Sequence, residues 1–379
     1  MREGSVSVRL NPFKGCAGPE GAVVPWNRYG RILSERPVFT LDPLFHAGCY
    51  YVQDSSAMFV GHLFRQFLPQ LAPGCRVLDL CAAPGGKTTD IAASLREAFG
   101  SDFELVSNEV MKGRAQILCD NVSVWGDPCV TVTSVDPAIV GRALPGWFDV
   151  IVADVPCSGE GMFRKDPRAE KEWSEATVDL CAARQKRILA DVWPALKEGG
   201  ILVYSTCTYE DAENDSNLEW AASELGGEIV QPEDVFEDYG VRRTRSGNIL
   251  KVGEVPGEGQ WAGALVKTSP AKSVRGLNSS ALRPLRRGLS KGVQKGKDFV
   301  PDSDYALSLD YDRSEYPVVE VGRDLALKFL HRDSFVLPEA PKGYVAIAFQ
   351  GHPLGFVKNL GNRCNNLLPQ RRKILMDVQ

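Results

Sequence analysis

No CxxC pair occurs among the ten cysteines, at 16, 49, 75, 81, 119, 129, 157, 181, 207 and 364, and the four histidines show no ligand spacing. A zinc centre is therefore not expected, and neither is any other metal. No apolar run approaches the roughly 18 residues of a membrane span. The opening residues, MREGSVSVRLNPFKG, hold no apolar stretch of the kind that heads a secretory signal. No membrane partner is expected, and the chain reads as cytoplasmic, where all ten thiols should be free. The dinucleotide fingerprint GxGxxG is missing. So is the Walker pattern GxxxxGK[ST], because no glycine stands at Cys81 or beside it, which disfavours a phosphate cradle. No internal repeat is evident.

What is present is ordinary for a globular protein. Of 379 residues, 44% are hydrophobic and 24% charged, enough for a sizeable core divided over two or three domains. The net charge of −4 argues nothing for nucleic acid, but its distribution does. Residues 241–297 carry 13 Lys and Arg against Glu254 and Glu258, a local excess of +11, so the remainder carries −15. Such a block favours a polyanion through counterion release, or it is a solvated linker; composition leaves both open.

From Gly74 onward strand and helix signals alternate. Short apolar runs at 76–80, 103–109, 129–134, 148–154 and 200–206 are separated by helical patterns at 88–99, 111–122 and 177–196. A further helix follows at 215–225, and WAGALVK, 261–267, reads as a late edge strand. Alternation of this kind implies an α/β fold, a mostly parallel Rossmann-like sheet with helices on both faces. Residues 1–73, rich in proline and aromatics, form a separate layer. The Rossmann-like core covers 74–268, a mobile basic linker 269–298, and a small strand-rich domain 299–379.

Three stretches carry chemistry. In LDLCAAPGGKTTD, 78–90, a strand ends at Asp79–Leu80, and small residues with Gly85 and Gly86 let backbone approach a ligand before a helix begins. Open α/β sheets bind ligands at this place, beyond the strand C-termini. Glu109, closing the second strand, is positioned for ribose hydroxyls. The fourth strand delivers Asp154 and Cys157 in DVPCSGEGMFRKDP, and the fifth delivers Cys207 in YSTCTYEDAEND. Adjacent strands lie about 4.8 Å apart, so two strand-end thiols can face one pocket. Either cysteine alone would more often be a packing residue; the pair, beside an acid and a glycine-rich loop, is not.

CAAPGGK (81–87), DVPCSGEGMFRKDP (154–167) and YSTCTYEDAEND (204–215) resemble the bacterial ribosomal branch of the Nop/Sun-type RNA cytosine-5 methyltransferases. LDPLFHAGCYYVQDSSAMF (41–59) and HPLGFVKNLGNRCNNLLP (352–369) resemble the flanking segments of the same family, so the likeness covers nearly the whole chain. The resemblance implies a seven-stranded S-adenosylmethionine-dependent core, an N-terminal RNA-binding layer and a PUA-like C-terminal RNA-binding domain. It implies Cys207 as the nucleophile on cytosine C6, Cys157 as the residue assisting release, and Asp154 holding the cytosine ring. Cofactor contacts are implied for Cys81, Ala82, Ala83, Pro84, Gly85, Gly86, Lys87, Glu109, Asp136 and Asp154. Asp136 would face adenine, although it also reads as a turn acid before Pro137. Lys87 or Lys165 would favour the Cys207 thiolate, and Arg164 and Lys165 would meet RNA phosphate. A structural role is expected for His46.

The expected partner is RNA, 16S rRNA above all, within or outside the small ribosomal subunit. Transfer RNA is the alternative substrate, and a non-catalytic RNA-binding assembly factor the alternative function. The family usually carries a helical segment ahead of RLNP, here reached at residues 9–12, so a truncated or mis-started N-terminus is expected to affect RNA contacts and not chemistry.

Overall fold

The computed structural model describes residues 6–159, 173–270 and 278–377. Val6–Leu10 (β1), Ala22–Val24 (β2), Asn27–Leu33 (β3) and Tyr50–Val52 (β4) form an antiparallel sheet in the order β2-β3-β1-β4. The short helix Pro43–His46 (α1) starts where Asp42 accepts the Leu44 N–H and proline occupies its first turn. Met58–Arg65 (α2) buries Met58, Phe59, Leu63 and Phe64 and so ties this layer to the core that follows.

The core alternates as the sequence pattern requires: Cys75–Asp79 (β5), Gly86–Phe99 (α3), Phe103–Asn108 (β6), Lys112–Trp125 (α4), Val130–Thr133 (β7), Pro137–Ala143 (α5) and Phe148–Asp154 (β8). Glu175–Val192 (α6), Leu196–Thr206 (β9), Asp215–Leu225 (α7), Gly227–Val230 (β10), Arg242–Arg243 (β11), Gly247–Leu250 (β12) and Gln260–Lys267 (β13) complete it. Strands β5 to β9 are parallel. Along the sheet they run β7-β6-β5-β8-β9, so the order reverses between β5 and β8, and the crevice outside that reversal is where such sheets bind ligands. Alternate residues of each strand feed opposite faces. Val77, Val150, Val152 and Val203 pack in one cluster, whereas Leu78, Ile151, Ala153, Leu202 and Tyr204 pack in the other. Both faces are thus covered, which is why 148–153 is apolar almost throughout.

Two expectations change here. WAGALVK is an interior strand: β13 runs antiparallel to β9 on one side and is flanked by β10 and β12 on the other, with Trp261, Ala262, Ala264 and Leu265 fully buried. An uninterrupted apolar run is the signature of two covered faces, and here it outweighs position at the end of the core. Among the described residues the sheet has ten strands rather than seven, because β11, β12 and a strand from the basic segment extend it.

That basic segment is no simple linker over its described part. Arg286–Arg287 (β14) pairs antiparallel with β7 and covers an otherwise open sheet edge, Leu282 is buried, and Gly292–Lys295 (β15) pairs with Asp298–Pro301 (β16). Its charge is partly cancelled in place. Arg242 meets Glu254, Arg245 meets Asp211 and Glu219, Arg286 meets Asp304, and Lys291 meets Glu315.

At the C-terminal end Val318–Glu320 (β17), Gly343–Phe349 (β18), His352–Asn359 (β19) and Cys364–Asn366 (β20) form a sheet in that order, with Arg323–His331 (α8) against it. Val8, Cys49 and Tyr50 of the N-terminal layer share one hydrophobic cluster with Phe329, Val345 and Leu354, so the two ends of the chain fold onto each other. One thiol expectation is overturned: Cys16 and Cys49 form a disulfide, their Cα atoms 5.9 Å apart and within bridging reach. The other eight cysteines are free. Among the described residues no helix is long and apolar enough to cross a membrane.

Candidate active site

The loop 81–87 leaves β5 and is held from four directions. The Ala82 N–H donates to the Asn108 carbonyl at 2.8 Å, Arg114 donates to the Ala83 carbonyl at 2.8 Å, and Asn121 and Tyr51 both donate to the Pro84 carbonyl. From the N-terminal sheet, Arg9 reaches through the core to the Gly86 carbonyl at 3.2 Å and to the Thr89 side chain, its guanidinium 4.5 Å from the Trp125 ring centroid. Gly85 has φ of +115°, a conformation side-chain-bearing residues rarely adopt, and α3 starts immediately after it.

Acids line the strand ends. Asp79 is fully buried; one carboxylate oxygen accepts from Thr88 at 2.6 Å and the other has no partner, and burial pushes its pKa up to about 7. Glu109 is buried at the end of β6, accepts the Met111 N–H at 2.9 Å and lies 3.3 Å from Arg114. Asp136 is exposed and caps α5, accepting the Ala138 N–H at 2.9 Å. The adjacent Val135 is bridged to Asn108, which brings the end of β7 alongside the end of β6. Cys81 is held protonated, its pKa raised by burial and then by Asp154, Asp79 and Glu109.

Asp154 is the hub. Its carboxylate takes Lys87 Nζ at 2.9 Å on one oxygen, and the Ser205 hydroxyl at 2.7 Å and Gln260 amide at 3.1 Å on the other. Burial disfavours the Lys87 ammonium, yet Asp154, helped by Asp79 and Cys207, raises its pKa on balance.

The two strand-end thiols meet. Cys157 Sγ lies 3.0 Å from Cys207 Sγ, and the Cys207 N–H points at Cys157 Sγ from 3.3 Å. A hydrogen bond from the Cys157 thiol holds Cys207 below the ordinary thiol range, with Lys87 assisting against burial and Asp154. The same contact, with burial added, raises Cys157. The contact thus favours the anionic form at Cys207 and the protonated form at Cys157.

The Cys157 segment is clamped from behind. Glu213, fully buried, accepts the Ser158 N–H at 3.1 Å and the Gln185 amide at 2.6 Å, while the same amide donates to the Pro156 carbonyl at 3.0 Å. Tyr204 adds bonds to the Glu213 carbonyl and the Gln185 side chain.

Sequence reasoning did not single out Ser205, Gln260, Glu213 or Gln185. Ser205 was within reach, lying two residues before Cys207 on the same strand. Gln260 sits 106 residues after Asp154 and meets it only because β13 is inserted beside β9. The His46 ring, for which a structural role is expected, contacts the Thr40 carbonyl at 2.9 Å. Arg164 and Lys165 lie outside the described residues, so of the two lysines named for the thiolate, Lys87 is the one observed beside Asp154 and Cys207.

Residues 68–241 match the family model described as 16S rRNA methyltransferase RsmB/F, and residues 316–374 match the methyltransferase RsmF PUA domain. A ribosomal RNA small subunit methyltransferase F from Aeromonas salmonicida is 31% identical over 86% of this chain and 79% of its own length. The chain belongs to the 16S rRNA methyltransferase RsmB/F family.

The relative of the same description from Psychromonas ingrahamii is 29% identical over the whole chain and 91% of its own length. The one from Pectobacterium atrosepticum is 35% identical over 59% of this chain, a match spanning less than half, 46%, of that relative. Among solved structures, a methyltransferase homolog protein from Pyrococcus horikoshii superposes with a TM-score of 0.57 at 24% identity, covering 70% of this chain and 87% of that one. NSun6 from Pyrococcus horikoshii with SFG superposes with a TM-score of 0.53 at 21% identity over 64% and 58%. Both likenesses concern the fold alone, a Rossmann-like core.

The RsmB/F residues present here fit S-adenosylmethionine. The unpartnered Asp79 oxygen and buried Glu109 supply carboxyl oxygens at the strand ends, and the loop 81–87 offers small side chains and backbone.

Proposed function

We propose that this chain methylates cytosine C5 in RNA, with 16S rRNA in the cytoplasm as the substrate. One observation carries the reading: Cys157 and Cys207 place their sulfurs 3.0 Å apart, with the Lys87–Asp154 pair alongside. Cytosine C5 is a poor nucleophile until a group adds at C6, and a thiolate does so while splitting one hard step into two easier ones. Cys207 Sγ forms the bond to C6, and Asp154 holds the ring edge, its own position fixed by Lys87, Ser205 and Gln260. S-adenosylmethionine supplies the methyl group that C5 takes. The C5 proton must then leave as the bond from Cys207 to C6 breaks. Cys157, whose proton Cys207 draws on in the free enzyme, is the group beside that bond to assist it.

Cys81, Ala82, Ala83, Pro84, Gly85, Gly86 and Lys87, with Glu109, Asp136 and Asp154, would hold the cofactor. For Asp136 the helix cap accounts for one oxygen, and the adenine contact rests on family resemblance. The target base must leave its stack to reach Cys207. The match to the RsmF PUA domain supports RNA as the partner, gripped through its backbone by 299–379. No step calls on a metal.

The reading is tested with RNA carrying 5-fluorocytosine, whose C5 substituent cannot leave as a proton. A denaturant-stable adduct is expected with the wild type and none with Cys207→Ala. An adduct that survives Cys207→Ala refutes the mechanism, and bisulfite mapping in a deletion strain separates rRNA from tRNA.

A further inference from the structure

A small cavity of about 110 Å³ lies far along the chain from the thiols, at the seam between the N-terminal layer and the C-terminal domain. Lys14, Arg313, His352, Tyr311 and Ser308 are among its lining residues. They come from the loop after β1, the segment before β17 and the start of β19, so only the folded chain assembles them. Among the described residues neither Lys14 nor Arg313 has a carboxylate in ion-pair range, and Lys14 Nζ donates instead to the Leu307 carbonyl. The Tyr311 hydroxyl is sealed from solvent and has no hydrogen-bond partner. A buried lysine and a half-buried imidazole with no anion to support their charged forms, beside an orphaned hydroxyl, leave a place that something negative completes.

We propose that Lys14, Arg313 and His352 form a subsite for one phosphate of the RNA backbone, bridging the N-terminal layer and the C-terminal domain. The proposal rests on RNA being the substrate. Its size suits one tetrahedral oxyanion and not a base. A cation is disfavoured at the same place. The Cys16 and Cys49 sulfurs and a His352 nitrogen lie within 4.8 Å of one another, but the disulfide leaves no thiolate, and Lys14 and Arg313 both face the imidazole. A bound phosphate contacts Lys14, Arg313 and His352, acting on backbone charge and carrying no sequence information.

Binding takes up protons at Lys14 and His352. Burial first, and then Arg313, lower the Lys14 pKa to about 7, and burial, Arg313 and Lys14 lower that of His352 against the pull of Glu320. An anion restores both charges, so affinity falls as pH rises through about 7. Tyr311, the remaining titratable group on the cavity, stays neutral there because burial raises it to about 12.

The full chain is tested by filter binding to an rRNA fragment across salt concentrations. Arg313 is exposed and unpaired, so Arg313→Gln leaves folding intact, and Lys14→Gln is its partner variant. Each is expected to weaken binding roughly tenfold and to reduce the log–log salt slope by about 0.7–0.9, the loss of one phosphate contact. Methylation should lose in KM and not in kcat. In parallel, inorganic phosphate should shift the His352 imidazole titration upward by NMR. Wild-type affinity and salt slope in both variants, with no phosphate shift at His352, overturn the subsite while leaving the 5-fluorocytosine adduct intact. Loss of that adduct with the phosphate shift retained overturns the cytosine chemistry and not the subsite.

Discussion

Lys87→Met removes the one ammonium that, among the described residues, faces both Asp154 and Cys207. Lys87 Nζ sits 2.9 Å from Asp154, and the Cys207 thiolate is favoured by Cys157 first and by Lys87 after burial and Asp154 have opposed it. Losing the lysine therefore acts twice: a favourable charge disappears, and Asp154 is left unbalanced beside the thiol. An opposite charge at such range moves a pKa by about 1–3 units. Cys157 is the larger support of the thiolate and remains in the variant, so the loss is partial, on the order of tenfold in rate at neutral pH. The assay is single-turnover methylation at saturating cofactor over a pH series, paired with iodoacetamide alkylation of Cys207 followed by mass spectrometry. Both rates should drop about tenfold near pH 7 and recover as pH rises, because titration restores the thiolate that the lysine had secured; Lys87→Arg should stay near wild type. A deficit of equal size at every pH refutes the electrostatic argument and leaves Lys87 as a cofactor contact alone.

Cys157→Ala should still attack cytosine and then stall, so a denaturant-stable adduct with ordinary cytidine accumulates on gels; fast turnover without adduct would remove Cys157 from the release step. Asp79 adds a pH signature to stability. Its folded pKa, about 7, lies above the unfolded value of about 3.9, so the folded state holds its proton longer and stability is lost as pH rises from about 4 to 7. Asp79→Asn should remove that decline, by up to about 4 kcal/mol between the limits, in urea melts at pH 4 and 8; parallel curves for the two proteins would contradict it. Trp261→Ala should cost about 3–5 kcal/mol in the same melts, because β13 is an interior strand and the ring is fully buried against Tyr204; a cost under about 1 kcal/mol would mean the site behaves as a sheet edge.

Residues local in the chain were legible before any folding. Helices and parallel strands announced themselves through apolar period, and strand ends at Asp79, Glu109, Asp154 and Cys207 located one edge of the sheet, because a parallel sheet collects its C-termini on one side by construction. Paired thiols 50 residues apart could be assigned to one pocket for the same reason, as β8 and β9 are neighbours. Antiparallel insertion is where sequence pattern stops helping. A buried apolar run does not say which strands flank it, so β13 was misplaced, and Gln260 with it. Charge counting overstates the block at 241–297 for a related reason: acids outside it, such as Asp211 and Asp304, neutralise arginines that composition counts as free.

What the sequence by itself determined is the core's α/β class, the loop 81–87 and the identity of the thiols, all set by short-range pattern. Tertiary structure alone decided four other things: that the two thiols touch, what braces Asp154, that Cys16 and Cys49 are joined, and that both chain ends build one cavity. Each depends on distances between residues far apart in the chain, and electrostatic and covalent pairing act through space over a few ångströms, a quantity no local pattern encodes.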